Sequence, residues 1–146
     1  MKKLLKNATV FTNGKFEKCD VEVTNDVITN IASKIEGESF DVIYDLQNLY
    51  LLPGLIDVHT HLREPGFIYK ETIKTGSFAG AKGGYTSIAA MPNLNPTPDC
   101  YDNLKLELDA IEKDARINVY PYGTITKGEK GEELANFEEM KDYVIA

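Results

Sequence analysis

Long apolar runs, cysteines and clustered basic residues are all scarce in this chain, and each scarcity removes a class of function. The longest apolar run, around Leu49 to Ile56, is far short of a membrane span. Met1-Lys2-Lys3-Leu4-Leu5 gives way to Lys6 and Asn7 rather than to the apolar core of a signal peptide, so the reading is a cytoplasmic protein with no membrane partner. Cys19 and Cys100 are the only two cysteines and share no Cys-x-x-Cys spacing. They supply neither a disulfide framework nor a zinc knuckle and read as free thiols. Sixteen basic residues face 23 acidic ones, a net charge of −7 with no Lys/Arg cluster, which argues against a nucleic-acid partner. A small-molecule substrate is the better fit. With 146 residues, 42% of them hydrophobic and 27% charged, the chain has ordinary globular composition.

What is present divides near Pro53-Gly54. Residues 1–52 read as a small β-sheet module of short strands. Asn13-Gly14 separates Ala8-Thr9-Val10-Phe11 from the extended run Phe16 to Val23, a strong hairpin signal, and Asn25-Asp26 starts another turn. Val27, Ile28 and Ile31 mark a third strand, with Val42-Ile43-Tyr44 and Leu49 to Leu52 as two more. Residues 53–146 alternate strand and helix patterns. Leu55 to His59 reads as a buried strand, Tyr69 to Lys82 as a helix closed by Gly83-Gly84, and Tyr85 to Met91 as a strand. Thr97-Pro98-Asp99 has the chemistry of a helix start, and Leu104, Leu108, Ile111 and Ala115 repeat at helical spacing behind it. Ile117 to Tyr120 then predicts a strand, Gly131 to Lys141 a third helix, and Val144-Ile145-Ala146 the opening of a fourth strand. Repeated strand-helix units imply a parallel sheet, either open and doubly wound or the start of an eightfold barrel. A closed barrel takes roughly 250 residues and about 90 follow Pro53, so the barrel reading expects the chain to be a fragment.

Chemistry concentrates at Asp57-Val58-His59-Thr60-His61, which holds the only two histidines. Side chains at i and i+2 leave a strand on one face, so both imidazoles can converge on one ion, and imidazole nitrogen suits Zn²⁺. Two half-buried histidines hydrogen-bonded at a strand end are the bland alternative. Arg63, two residues on, carries a planar fork that matches a carboxylate, against a surface ion pair with Glu64 or Glu71. Asn93, in Met91-Pro92-Asn93-Leu94-Asn95-Pro96, could bind the same group or serve ordinary turn chemistry. Asp57 lies on the face of His59 as a candidate partner behind the metal ligands. The glycines at 76, 80, 83 and 84 miss the register of a phosphate loop, since Ala81 stands where that loop needs Gly.

Together, the run Pro53-Gly54-Leu55-Ile56-Asp57-Val58-His59-Thr60-His61-Leu62-Arg63-Glu64-Pro65-Gly66 resembles the signature of dihydroorotase in the amidohydrolase superfamily. Tyr69-Lys70-Glu71-Thr72, Thr75-Gly76, Gly83-Gly84-Tyr85-Thr86 and Ala90 to Pro96 continue the likeness in order and spacing. The resemblance implies an α/β fold: a small N-terminal β-sheet module, then the first three to four strand-helix units of an incomplete TIM-like barrel. It implies reversible cyclisation of N-carbamoyl-L-aspartate to L-dihydroorotate in pyrimidine biosynthesis, with one or two Zn²⁺ per full-length subunit. His59 and His61 become metal ligands, and His61, Arg63 and Asn93 substrate contacts. The further ligands and the proton-transfer aspartate of the family fall beyond residue 146. No catalytic residue is therefore expected within the chain, and the chain alone is expected to be inactive. The family leaves open a homodimer and an association with aspartate transcarbamoylase. Other readings are dihydropyrimidinase (hydantoinase) or allantoinase, against which Arg63 and Asn93 argue, and a non-catalytic scaffold subunit of aspartate transcarbamoylase, against which the intact His59 and His61 argue.

Overall fold

The computed structural model describes every residue except Glu38. It forms two compact units, Met1–Pro53 and Gly54–Ala146, in a mixed α/β chain. In the first, β1 (Lys2–Thr12), β2 (Lys15–Thr24) and β3 (Val27–Ala32) form an antiparallel meander, while β4 (Val42–Asp45) and β5 (Tyr50–Leu51) run parallel to β1. Asn13 and Gly14 both take positive φ, 50° and 77°, the left-handed pair that a two-residue hairpin turn needs. Asn25 and Asp26 do the same at 47° and 67°. A register shift in β1 between Leu5 and Ala8 frees the N–H of Asn7, which donates to the buried Asp20 carboxylate at 2.8 Å; the same carboxylate accepts the N–H of Ile35, beyond β3, at 3.0 Å. Ala8, Val10, Cys19 and Val21 form this unit's core.

The second unit carries the parallel sheet β6 (Leu55–Thr60), β7 (Tyr85–Ala90) and β8 (Asn118–Pro121), in that spatial order. Helices α1 (Ile73–Lys82) and α2 (Tyr101–Asp114) connect these strands. Leu62, Ile73, Ile88, Ala90 and Val119 make the core between sheet and helices, with Ala110, Ile111 and Ala115 packed against it. On the other side of α2, Leu104 meets Ala135 and Met140. Ser77 of α1 is buried and its Oγ accepts the N–H of Arg116 at 3.0 Å, tying the helix to the entry of β8.

Several boundaries differ from the sequence reading for identifiable reasons. Helix α1 begins at Ile73, not Tyr69, because Thr72 caps it: its Oγ1 accepts the Thr75 N–H while Thr75 Oγ1 accepts the Thr72 N–H. Helix α2 begins two residues after Asp99, whose carboxylate instead bridges the Asn103 amide and the N–H of Gly128. The long third helix is absent. Residues 126–134 fold back on themselves through a Thr126–Leu134 bridge and the bond from Lys127 N–H to Glu133 O, leaving only a 3-10 turn (Lys127–Glu129) and the short α3 (Phe137–Met140). Gly131, the first residue of the expected helix, holds φ at 76°, which a right-handed helix does not accommodate. Val144–Ala146 is not a strand either, although Ile145 N–H donates to Pro121 O and Gly123 N–H to Ala146 O beside β8. Finally, β6 is not buried: Leu55, Ile56 and Val58 are 51%, 67% and 63% exposed, since among the described strands only β7 pairs with it.

Candidate functional site

His59 and His61 stand at the C-terminal end of β6, the end of a parallel sheet where loops carry chemistry. Their rings lie 5.2 Å apart between centroids at 73°, so the two imidazoles share one space, as the i, i+2 spacing expects. Thr60 between them points the other way, its Oγ1 donating to Ala89 O at 2.7 Å, and Met91 N–H returns a bond to Thr60 O at 2.8 Å. These two bonds fix the strand end against β7.

Asn93, beyond the end of β7, joins the pair: its Oδ1 lies 2.8 Å from His61 Nδ1. An amide oxygen only accepts, so Nδ1 is the donor of this bond, which in the neutral ring leaves Nε2 as the nitrogen that can bind a metal. Among the described residues the amide nitrogen of Asn93 has no hydrogen-bond partner. Asn93 is held in place from below. Asn95 N–H donates to Pro65 O at 3.2 Å, and Gly66, at φ 96°, lies so close that a Cβ there would sit 2.3 Å from Asn95 O. The loop after His61 and the loop after β7 therefore touch backbone to backbone, a contact that only glycine permits.

Arg63 is half-buried with φ 64° and pairs with no carboxylate among the described residues. Both candidate surface partners are engaged elsewhere: Glu64 Oε2 accepts the Ile73 N–H at 2.9 Å, and Glu71 Oε1 accepts the Thr72 N–H at 3.0 Å and the Thr75 hydroxyl. These carboxylates sit at the N-terminus of α1, where the helix dipole favours them. Arg63 makes no hydrogen bond to His59, His61 or Asn93 either.

Asp57 does not reach an imidazole ring; its Oδ1 accepts the backbone N–H of His59 at 3.0 Å. Beside it, Thr60, His61, Glu71 and Tyr85 line a cavity of about 350 Å³. A second cleft of about 410 Å³ opens past the ends of β7 and β8, lined by Met91, Pro92, Tyr122, Thr124 and Glu129. Tyr122 is the site residue that the sequence reading missed. Its hydroxyl donates to Val58 O at 3.1 Å, across 64 residues of sequence, and no local pattern announces it.

The donor set fits part of a metal site. Two imidazoles could offer two of the three or four ligands that a zinc site takes, and among the described residues no group of three or more His, Cys, Asp or Glu side chains gathers.

Residues 49–145 match the sequence model of the dihydro-orotase-like family. The chain belongs to that family. A dihydroorotase of Fusobacterium nucleatum is 45% identical over 143 residues, covering 98% of this chain and 33% of the relative. A dihydroorotase of Bacillus cereus is 43% identical over 143 residues, covering 97% and 33%. The chain thus spans about a third of the length of the curated relatives it matches. Among solved structures, an L-hydantoinase (dihydropyrimidinase) from Arthrobacter aurescens superposes with a TM-score of 0.81 over 96% of this chain and 30% of its own, at 18% identity. That likeness concerns the fold. No helix among the described residues is long and apolar enough to cross a membrane.

Proposed function

We propose that this chain contributes the first metal ligands and the substrate-carboxylate anchor of a zinc-dependent dihydroorotase, which interconverts N-carbamoyl-L-aspartate and L-dihydroorotate in pyrimidine biosynthesis. In this reading residues 53–146 are the opening strand-helix units of a barrel and residues 1–52 a separate sheet module. When bound, zinc would supply a Lewis acid for the ring carbonyl and a nucleophile from water near neutral pH. His59 and His61 would hold it, with Asn93 keeping the proton of His61 on Nδ1. Arg63 would grip the substrate carboxylate through two parallel hydrogen bonds, and the amide nitrogen of Asn93 would add a third donor.

The observation that supports this most is the unpaired guanidinium of Arg63 in the loop directly after the histidines, while Glu64 and Glu71, the two candidate surface partners, bind the N-terminus of α1. A half-buried cation without a protein partner suits an anionic ligand. The hydantoinase reading has the fold likeness in its favour, but a neutral ring gives Arg63 nothing to bind.

The test replaces the corresponding third of the Fusobacterium relative with this chain and then makes Arg63→Lys. Lysine keeps the charge and the Cβ, so the positive φ costs the same, and only the paired donor geometry goes. Expected is a loss of about 2–3 kcal/mol in kcat/KM for dihydroorotate, roughly thirtyfold or more, with zinc content unchanged. A surface ion pair would change stability by at most about 1 kcal/mol and leave catalysis alone. Equal losses on dihydroorotate and on dihydrouracil, which lacks the carboxylate, would remove Arg63 as the anchor. The unmodified 146-residue chain, supplied with zinc, is expected to show no turnover, because two histidines leave the metal short of ligands.

A further inference from the structure

The β6–β7 pairing passes from Asp57↔Ile88 to Thr60↔Ala90 and skips Val58 and His59. The peptide joining those two residues is held by side chains instead. On one side, its carbonyl, Val58 O, accepts from the Tyr122 hydroxyl at 3.1 Å; on the other, its N–H, that of His59, donates to Asp57 Oδ1 at 3.0 Å. A backbone unit released from a ladder ordinarily finds water. Here both of its polar groups have a protein partner, and one of the two comes from beyond β8.

We infer that Asp57 and Tyr122 are positioning residues that clamp the Val58–His59 peptide and thereby aim the His59 imidazole at the point shared with His61. This rests on the metal reading above. A bulged strand would otherwise rotate about this peptide, and rotation there swings the His59 ring away from its partner 5.2 Å distant. Neither residue touches the metal or the substrate in this scheme; both act through the backbone. His61 is held differently, through its ring by Asn93.

The experiment uses the full chain with Zn²⁺ alone as the probe, and three variants. Tyr122→Phe removes only the hydroxyl, Asp57→Ala removes the acceptor, and Asp57→Asn keeps an acceptor oxygen. Expected is a zinc dissociation constant raised about tenfold or more by Tyr122→Phe and by Asp57→Ala, and within about threefold of the parent for Asp57→Asn. Amide hydrogen exchange supplies a readout that needs no metal: the His59 N–H should exchange faster in Asp57→Ala and be restored in Asp57→Asn. A lowered melting temperature with zinc affinity unchanged in both Tyr122→Phe and Asp57→Ala would reduce the clamp to ordinary packing and overturn the inference. Should the parent chain take up no zinc, the metal reading fails by itself and exchange decides the clamp: slow exchange at His59 that Asp57→Ala releases sustains it, and fast exchange in the parent overturns it.

Discussion

Glu107→Met is expected to stabilise the chain by about 3 kcal/mol at pH 7 and to flatten its pH dependence. Glu107 lies on α2 at 1% exposure, and neither carboxylate oxygen has a hydrogen-bond partner among the described residues. Burial pushes its pKa up to about 8 from 4.5. Below pH 4.5 the side chain is protonated folded and unfolded, and it costs nothing through ionisation. Between 4.5 and about 8 the folded chain keeps a proton that the unfolded chain has released, so stability falls as pH rises, by about 1.4 kcal/mol per unit, and levels off above 8. Methionine has nearly the same shape and no charge to desolvate, so that descent should vanish. Urea unfolding at pH 5 and pH 7.5 checks it. Parent and variant losing the same stability between those two values would show that Glu107 has a partner or reaches water.

His59→Ala and His61→Ala should each lower zinc content and kcat/KM together, by about a hundredfold or more, in the same chimera with the Fusobacterium relative. Exposure makes the result readable. Both histidines are exposed in this chain, so truncation removes little packing here and should move the stability of the metal-free 146-residue chain by no more than about 0.5 kcal/mol. Thermal unfolding of the chimera variants checks that the loss of rate does not come from unfolding. Full zinc stoichiometry with an unchanged rate would return both residues to ordinary strand-end chemistry.

The elements most legible in the sequence are those specified by local chemistry. Asn13-Gly14 and Asn25-Asp26 named their turns because few residue pairs tolerate two successive positive φ angles. Gly83-Gly84 named the end of α1 because the left-handed step that closes a helix, taken here by Gly84 at φ 86°, favours glycine. His59 and His61 were legible as a pair because a strand repeats every two residues. What stayed hidden depends on residues distant in sequence. The helix pattern from Gly131 to Lys141 was overridden by the bridge from Leu134 back to Thr126. Asp99 has the chemistry of a helix start but is drawn to Gly128, 29 residues away. Glu107 sits three residues after Leu104, within the apolar stripe, and reads as one more solvated glutamate unless the stripe is drawn wide enough to include it. Tyr122 gave no signal, since its role exists only once β8 has been laid beside β7 and β6.

The contacts around the histidine pair also have a consequence for the order of assembly. Asp57, Asn93 and Tyr122 all precede the 126–134 turn, so each hold on the two imidazoles is available as soon as three strands have formed side by side. A growing polypeptide can thus fix the histidine pair without waiting for residues 126–146 to fold.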